Sequence, residues 1–341
     1  MITTRSKQLG FFEPLEVLET EYQNSEILRK LRTMKNSYSG FRRIRGDGNC
    51  YYRALGFAFL ESGGPEAALG LLRRLEESQN SDEHKTLHVA LTEILSSCAG
   101  ENGQNDTNEN LNKHPLLRNK ECDKYLRALY ERFLVDSSLD KCLVSVVRRF
   151  VGQCVTETQN DRIQDFGTLA ELLTMALGHE SVEAFLEQEV LKDGVEAMDV
   201  VQIVAPKALQ CQTHILQLDR NLAENGMPTI YHYPETSSAG ADEKACWPDV
   251  TLLFKPGHYD ILYPSEIAKC IVEVQEHGLL KKLREPWTCV VCMADETTEE
   301  SIQRPWPCEH GICQPCQDGM REAGQSLDLC PGGCSKIPIF T

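Results

Sequence analysis

Arg45-Gly46-Asp47-Gly48-Asn49-Cys50-Tyr51-Tyr52-Arg53-Ala54 brings a turn, a thiol and the first residues of an apolar helix into one short stretch. Gly46-Asp47-Gly48-Asn49 is a run of turn formers. Behind it, Tyr51, Ala54, Leu55, Ala58 and Phe59 keep helical spacing. Cys50 therefore stands where a helix starts, and unpaired amides and the helix dipole favour thiolate over thiol there. Gly46 and Gly48 let the backbone bend tightly and aim amides inward, as an oxyanion hole requires. A buried structural cysteine behind a β-turn would show the same local pattern. The thiol needs a base before it reads as a nucleophile.

Nine histidines are available. His84, His88, His114, His179 and His277 sit in helical or loop context without a supporting partner in the sequence. His258 differs, because Lys255-Pro256-Gly257-His258-Tyr259-Asp260-Ile261-Leu262-Tyr263 is a turn feeding directly into a strand. Side chains two apart on a strand share a face, so Asp260 is placed to orient the His258 ring. Together with Cys50 they make a candidate Cys-His-Asp triad. Taken alone, the His-x-Asp pattern fits an ordinary strand with one polar edge equally well.

Outward from these stretches, Leu15, Leu18, Tyr22, Leu28 and Leu31 predict an amphipathic helix over 14–35, and Phe41–Ile44 a short strand. Further helices are expected at about 65–79, 83–97 and 122–153, and the polar 100–114 stretch reads as a loop. Val200–Ala205, Thr213–Leu218, Val250–Phe254 and His258–Tyr263 read as strands, and 234–248 as another loop. Ser265 caps an expected connecting helix over 265–284. Helices mostly come first and strands later, which gives an α+β class with a small sheet.

The 341 residues carry 51 acidic against 35 basic side chains, a formal net charge of -16. That balance opposes a nucleic-acid backbone and is compatible with a basic protein partner. No stretch reaches the ~18 apolar residues of a membrane helix. The amino terminus lacks the apolar core and cleavage site of a secretory signal, so a cytoplasmic or nuclear location is expected.

Of the 15 cysteines, seven cluster near the carboxyl terminus as Cys289-x2-Cys292, Cys308-x-His310-x2-Cys313-x2-Cys316 and Cys330-x3-Cys334. Eight soft or borderline ligands suit two tetrahedral zinc ions. About fifty residues cannot build a sufficient apolar core, so metal would help hold such a module together.

The 45–54 stretch resembles the nucleophile motif of the ovarian-tumour (OTU) class of deubiquitinating cysteine proteases. Pro256–Tyr263, Phe185-Leu186-Glu187-Gln188-Glu189-Val190 and the helix before Phe41 resemble its otubain branch, and the similarity spans residues 11–264. The resemblance implies a papain-like α+β fold with a small central sheet flanked by helices. It implies that Cys50 attacks the isopeptide carbonyl between ubiquitin and lysine, that His258 moves the proton and that Asp260 holds the imidazole. Asp47 is expected to shape the oxyanion loop, with the amides of 47–50 meeting the intermediate. Ubiquitin and polyubiquitin would be the substrates.

Residues 285–341 resemble a RING finger, which implies interleaved ligation: Cys289, Cys292, Cys313 and Cys316 on one zinc, and Cys308, His310, Cys330 and Cys334 on the other. The x3 gap before Cys334 departs from the usual x2. Val291, Met320 and Pro331 match the apolar patch with which RING ligases grip ubiquitin-conjugating enzymes, and core packing explains Val291 and Met320 equally well. The alternative to a deubiquitinase is thus a RING ubiquitin ligase or adaptor whose otubain-like domain mainly binds ubiquitin.

Overall fold

Arg42 and Ile261 stand side by side on neighbouring strands, although most of the chain separates them. This pairing is what organises the molecule around Cys50 and His258. The computed structural model describes residues 8–78, 81–98, 120–134, 136–163, 167–234, 247–274, 287–288, 295–296, 302–303 and 312–323. The chain divides into two compact units, Met1–Glu276 and His277–Thr341.

The first unit is built on six strands: β1 (Leu9–Pro14), β2 (Tyr38–Ile44), β3 (Gln212–Gln217), β4 (Thr229–Tyr233), β5 (Asp249–Lys255) and β6 (His258–Pro264). Their order across the sheet is β1-β2-β6-β5-β3-β4. The pairings are antiparallel except β3 with β5, which run parallel. Period-2 alternation divides the side chains between two covered faces. Phe41, Leu216, Leu253 and Leu262 pack beneath α1 (Glu16–Glu21) and α2 (Ser25–Met34), against Leu18, Ile27, Leu31 and Met34.

Helix α3 (Cys50–Ser78) packs on β5 and β6 and is surrounded by α4 (Asp82–Cys98), α5 (Lys120–Phe133) and α6 (Ser137–Thr158). Its first ten residues are all buried. Gly56 admits the close approach of α6, since a Cβ there would lie 2.8 Å from Val147 Cγ2. The helix bends at Gly64 (φ 62°) ahead of Pro65, where a proline removes one backbone donor and crowds the preceding turn. Helix α7 (Asp199–Leu209) packs on α6, and α8 (Ser265–Val274) on β2, β6 and α5.

The α+β expectation holds for this unit, with differences at particular elements. The expected 14–35 helix is two helices, because Asn24 turns extended and its side chain caps α2 by accepting from the Glu26 and Ile27 amides at 3.0 and 3.1 Å. The 122–153 helix likewise divides, where Asp136 caps α6. Val200–Ala205 is helical rather than a strand. Its β-branched residues bury Val200, Val201 and Val204, and burial against α6 overrides local propensity. Strands β1 and β4 were not expected, and both lie at sheet edges. The described part of the expected connecting helix, α8, buries Ile267, Ala268, Ile271 and Val274.

In the second unit, Trp287–Thr288 pairs with Asp295–Glu296 and Ile302–Gln303 with Ile312–Cys313, both antiparallel, and α9 covers Gln314–Glu322. No helix among the described residues is long and apolar enough to cross a membrane.

Candidate active site

The Arg45–Asn49 turn links the end of β2 to the head of α3. Gly48 takes φ +79°, and a Cβ on it would lie 1.9 Å from the Gly194 carbonyl oxygen, so conformation and space both demand glycine. Gly46 lies beside the imidazole: a Cβ there would stand 3.4 Å from His258 Nδ1, an ordinary contact. Cys50 is 4% exposed and is the first residue of α3. Its amide belongs to the first helical turn, which has no intrahelical acceptor. Cys50 thus stands at the positive end of the α3 dipole.

His258 opens β6 and is joined to this turn through the β2–β6 pairing. Its Nε2 lies 2.8 Å from Asp260 Oδ1, and Cys50 is within hydrogen-bonding reach of the same imidazole. With Nε2 engaged by the carboxylate, Nδ1 is left for the sulfur. Burial opposes charge on this ring, but the bonds to Asp260 and Cys50 outweigh it and raise the imidazole to about 9. Asp260 is fully buried. Its Oδ1 also accepts from the Ile44 amide at 2.9 Å, and Lys255 Nζ lies 2.5 Å from Oδ2. Burial works against ionisation here too, but His258 and Lys255 prevail and keep the carboxyl below its ordinary value. A thiol, an imidazole and a carboxylate thus form one connected line.

Asp47 is not part of that line. Its Oδ1 accepts from the Asn49 amide at 3.1 Å and from Arg53 Nη1 at 2.8 Å, and its Oδ2 from Arg53 Nη2 at 2.9 Å. Burial resists its ionisation and the Arg53 guanidinium overcomes that, leaving the carboxyl below its usual range. The Asn49 amide is therefore committed to Asp47, while the Gly48 and Cys50 amides remain the candidates for stabilising an oxyanion. Asp47 thus ties the turn to α3.

Two buried arginines complete the turn, and the sequence reading passed over both. Arg53 Nε donates to Asp140 Oδ1 and Oδ2 at 2.8 and 2.9 Å, and Arg53 Nη1 donates to the Arg45 carbonyl at 3.1 Å. Arg148 lies over the Tyr52 ring, 3.9 Å from its centroid. It donates to Asn49 Oδ1 at 2.7 Å, to the Val190 carbonyl at 2.7 Å and to the Val195 carbonyl at 2.6 Å. The Gly194 amide also reaches Asn49 Oδ1, at 3.1 Å. The 190–195 segment and the turn before Cys50 are thus clamped to α6 by one guanidinium. A sequence signal existed: Asp140, Val144 and Arg148 recur every fourth residue along the buried stripe of α6. Charges on such a stripe demand partners.

The candidate zinc ligands are less accessible to description. Cys289, Cys292, Cys308, His310, Cys330 and Cys334, together with Val291 and Pro331, lie outside the described residues, and Cys313 is described only in its backbone. Cys316 and Met320 are half-buried on α9, around the buried Gln317. Among the described residues there is no group of three or more His, Cys, Asp or Glu able to hold a metal.

Comparison with known proteins bears on the first unit. The model of a family described as Peptidase C65 Otubain matches residues 2–264. OVARIAN TUMOR DOMAIN-containing deubiquitinating enzyme 1 of Arabidopsis thaliana is 29% identical over 273 residues, covering 76% of this chain and 82% of that protein. Ubiquitin thioesterase OTUB1 of Homo sapiens is 26% identical over 253 residues, with coverages of 73% and 80%. A solved structure entitled "The structure of h/ceOTUB1-ubiquitin aldehyde-UBC13~Ub" superposes with a TM-score of 0.54 at 21% identity, covering 77% of this chain and 93% of that one. At that identity the structural likeness speaks to the fold.

Proposed function

The chain belongs to the peptidase C65 otubain family, and from that premise we propose that it is a cysteine-type deubiquitinase working through Cys50, His258 and Asp260. The observation that carries this reading is the imidazole of His258, bonded to Asp260 on one side and within reach of Cys50 on the other. The Cys50 sulfur, its proton passed to His258, adds to the isopeptide carbonyl at the carboxyl terminus of ubiquitin. The oxygen gains negative charge beside the Gly48 and Cys50 amides, and loss of one such donor typically costs about 3–4 kcal/mol. His258 protonates the departing lysine amine as the carbon–nitrogen bond breaks. It then takes a proton from the water that hydrolyses the thioester, and the thiolate is restored.

Relatives named ubiquitin thioesterases support ubiquitin as substrate. Solved complexes of similar fold contain ubiquitin aldehyde with UBC13 or UBCH5B, which supports a conjugating enzyme as partner. The carboxyl-terminal cysteine spacing supports a RING module holding two zinc ions, with Val291, Met320 and Pro331 as its docking patch. The same spacing favours the second reading, in which the RING output dominates and the chain builds ubiquitin chains.

A panel of di-ubiquitin linkages separates these readings. The deubiquitinase reading expects wild type to cleave at least one linkage and Cys50→Ala none. Absence of cleavage, joined to chain synthesis that depends on Cys292 when activating and conjugating enzymes are supplied, would establish the ligase instead.

A further inference from the structure

Lys255 ends β5 directly opposite His258 on β6. Its side chain is 15% exposed, and Nζ lies 2.5 Å from Oδ2 of the fully buried Asp260. The other oxygen, Oδ1, serves His258 Nε2 and the Ile44 amide. One carboxylate is thus shared between the Lys255 side chain and the imidazole. The titratable and charged groups that face this pair are Lys255 from β5, Cys50 from the head of α3, and Tyr22 from the turn between α1 and α2.

We infer that Lys255 is a positioning residue for the Cys50–His258 pair: it fixes the second oxygen of Asp260 and tempers the pull of that carboxylate on the His258 proton. The inference rests on the protease reading, but its physics is local. A carboxylate with no other counter-charge holds an adjacent imidazolium tightly, and a cation on its far oxygen weakens that hold. Too tight a hold would handicap His258 as the acid that must release its proton to the leaving amine. Lys255 also contributes geometry. Its ammonium contact at Oδ2 joins the Ile44 amide and His258 at Oδ1 in holding the carboxylate beside the ring.

The test compares Lys255→Gln and Lys255→Arg with wild type in the full chain. Two quantities are followed: the alkaline midpoint of kcat/KM on a fluorogenic ubiquitin amide, and the titration midpoint of the His258 imidazole by NMR. Lys255→Gln should raise both by roughly half a pH unit or more, since the Ile44 amide and the imidazolium itself still hold Asp260 ionised. Lys255→Arg should leave both near wild type. Lys255→Met, which keeps the aliphatic stem, gives the same answer if the glutamine variant melts early. Midpoints that stay fixed or fall in a folded neutral variant, whatever happens to the overall rate, would overturn the inference. Should wild type fail to hydrolyse the ubiquitin amide, the deubiquitinase reading falls, while the NMR midpoint still decides the part played by Lys255.

Discussion

At the scale of the residue, the proposed chemistry depends on His258 keeping a proton that burial alone would strip from it. Asp260 and Cys50 raise the imidazole to about 9, against 6.5 for an unconstrained ring. The sign of the linkage follows: this charge stabilises the fold fully below pH 6.5, and the contribution is lost as pH rises through about 9. The fall in unfolding free energy between those values should be smaller in His258→Gln, as urea melts at several pH values would register. The value of kcat/KM should drop as pH passes about 9, because a neutral imidazole cannot protonate the leaving amine. Gly48→Ala should destabilise by about 2 kcal/mol or more and nearly abolish turnover, since a methyl there meets the Gly194 carbonyl; calorimetry and initial rates check the two halves. The local settings of Cys50, His258 and Asp260 were legible in the sequence, because each lies in a short pattern of turn, helix start or strand. Lys255 lies in the same stretch as His258, but nothing local says where a lysine side chain folds back.

At the scale of the element, α6 matters to the site as much as α3. It supplies Asp140 and Arg148, which hold the two ends of the turn before Cys50. Arg148→Met keeps much of the bulk and leaves Asn49 and the Val190 and Val195 carbonyls without their donor. A fall in kcat of tenfold or more with a smaller change in KM is expected, because the amides facing the intermediate lose their fixed direction. Asn24→Ala at the cap of α2 serves as a contrast. It should lower stability by about 1 kcal/mol, read as a drop in Tm, and leave kcat/KM unchanged. Strongly periodic helices such as α4 were legible, as were β3, β5 and β6. Val200–Ala205 was not, because a run of valines has the same local appearance in a buried helix and in a strand. Packing on α6 made the choice, and packing is not written locally. The splits at Asn24 and Asp136 were legible in principle from their capping chemistry, although apolar spacing alone ran across them.

At the scale of the whole molecule, the β2–β6 pairing converts two sequence-distant stretches into one site, and a sheet with both faces covered keeps them there. That long-range pairing was not legible in the sequence, since periodicity carries no information about which strands become neighbours. The carboxyl-terminal unit makes a separate prediction from its ligand spacing. Elemental analysis of purified protein should give about two zinc ions per chain, reduced in Cys289→Ser and Cys330→Ser. A strong chelator should remove them without stopping cleavage of a ubiquitin amide. The most direct test of the central claim is the intact mass of the chain after reaction with ubiquitin bearing a thiol-reactive carboxyl terminus. One ubiquitin should attach to wild type, map to Cys50, vanish in Cys50→Ala and slow greatly in His258→Ala. Failure of wild type to react, or attachment that persists at another cysteine in Cys50→Ala, would contradict the account.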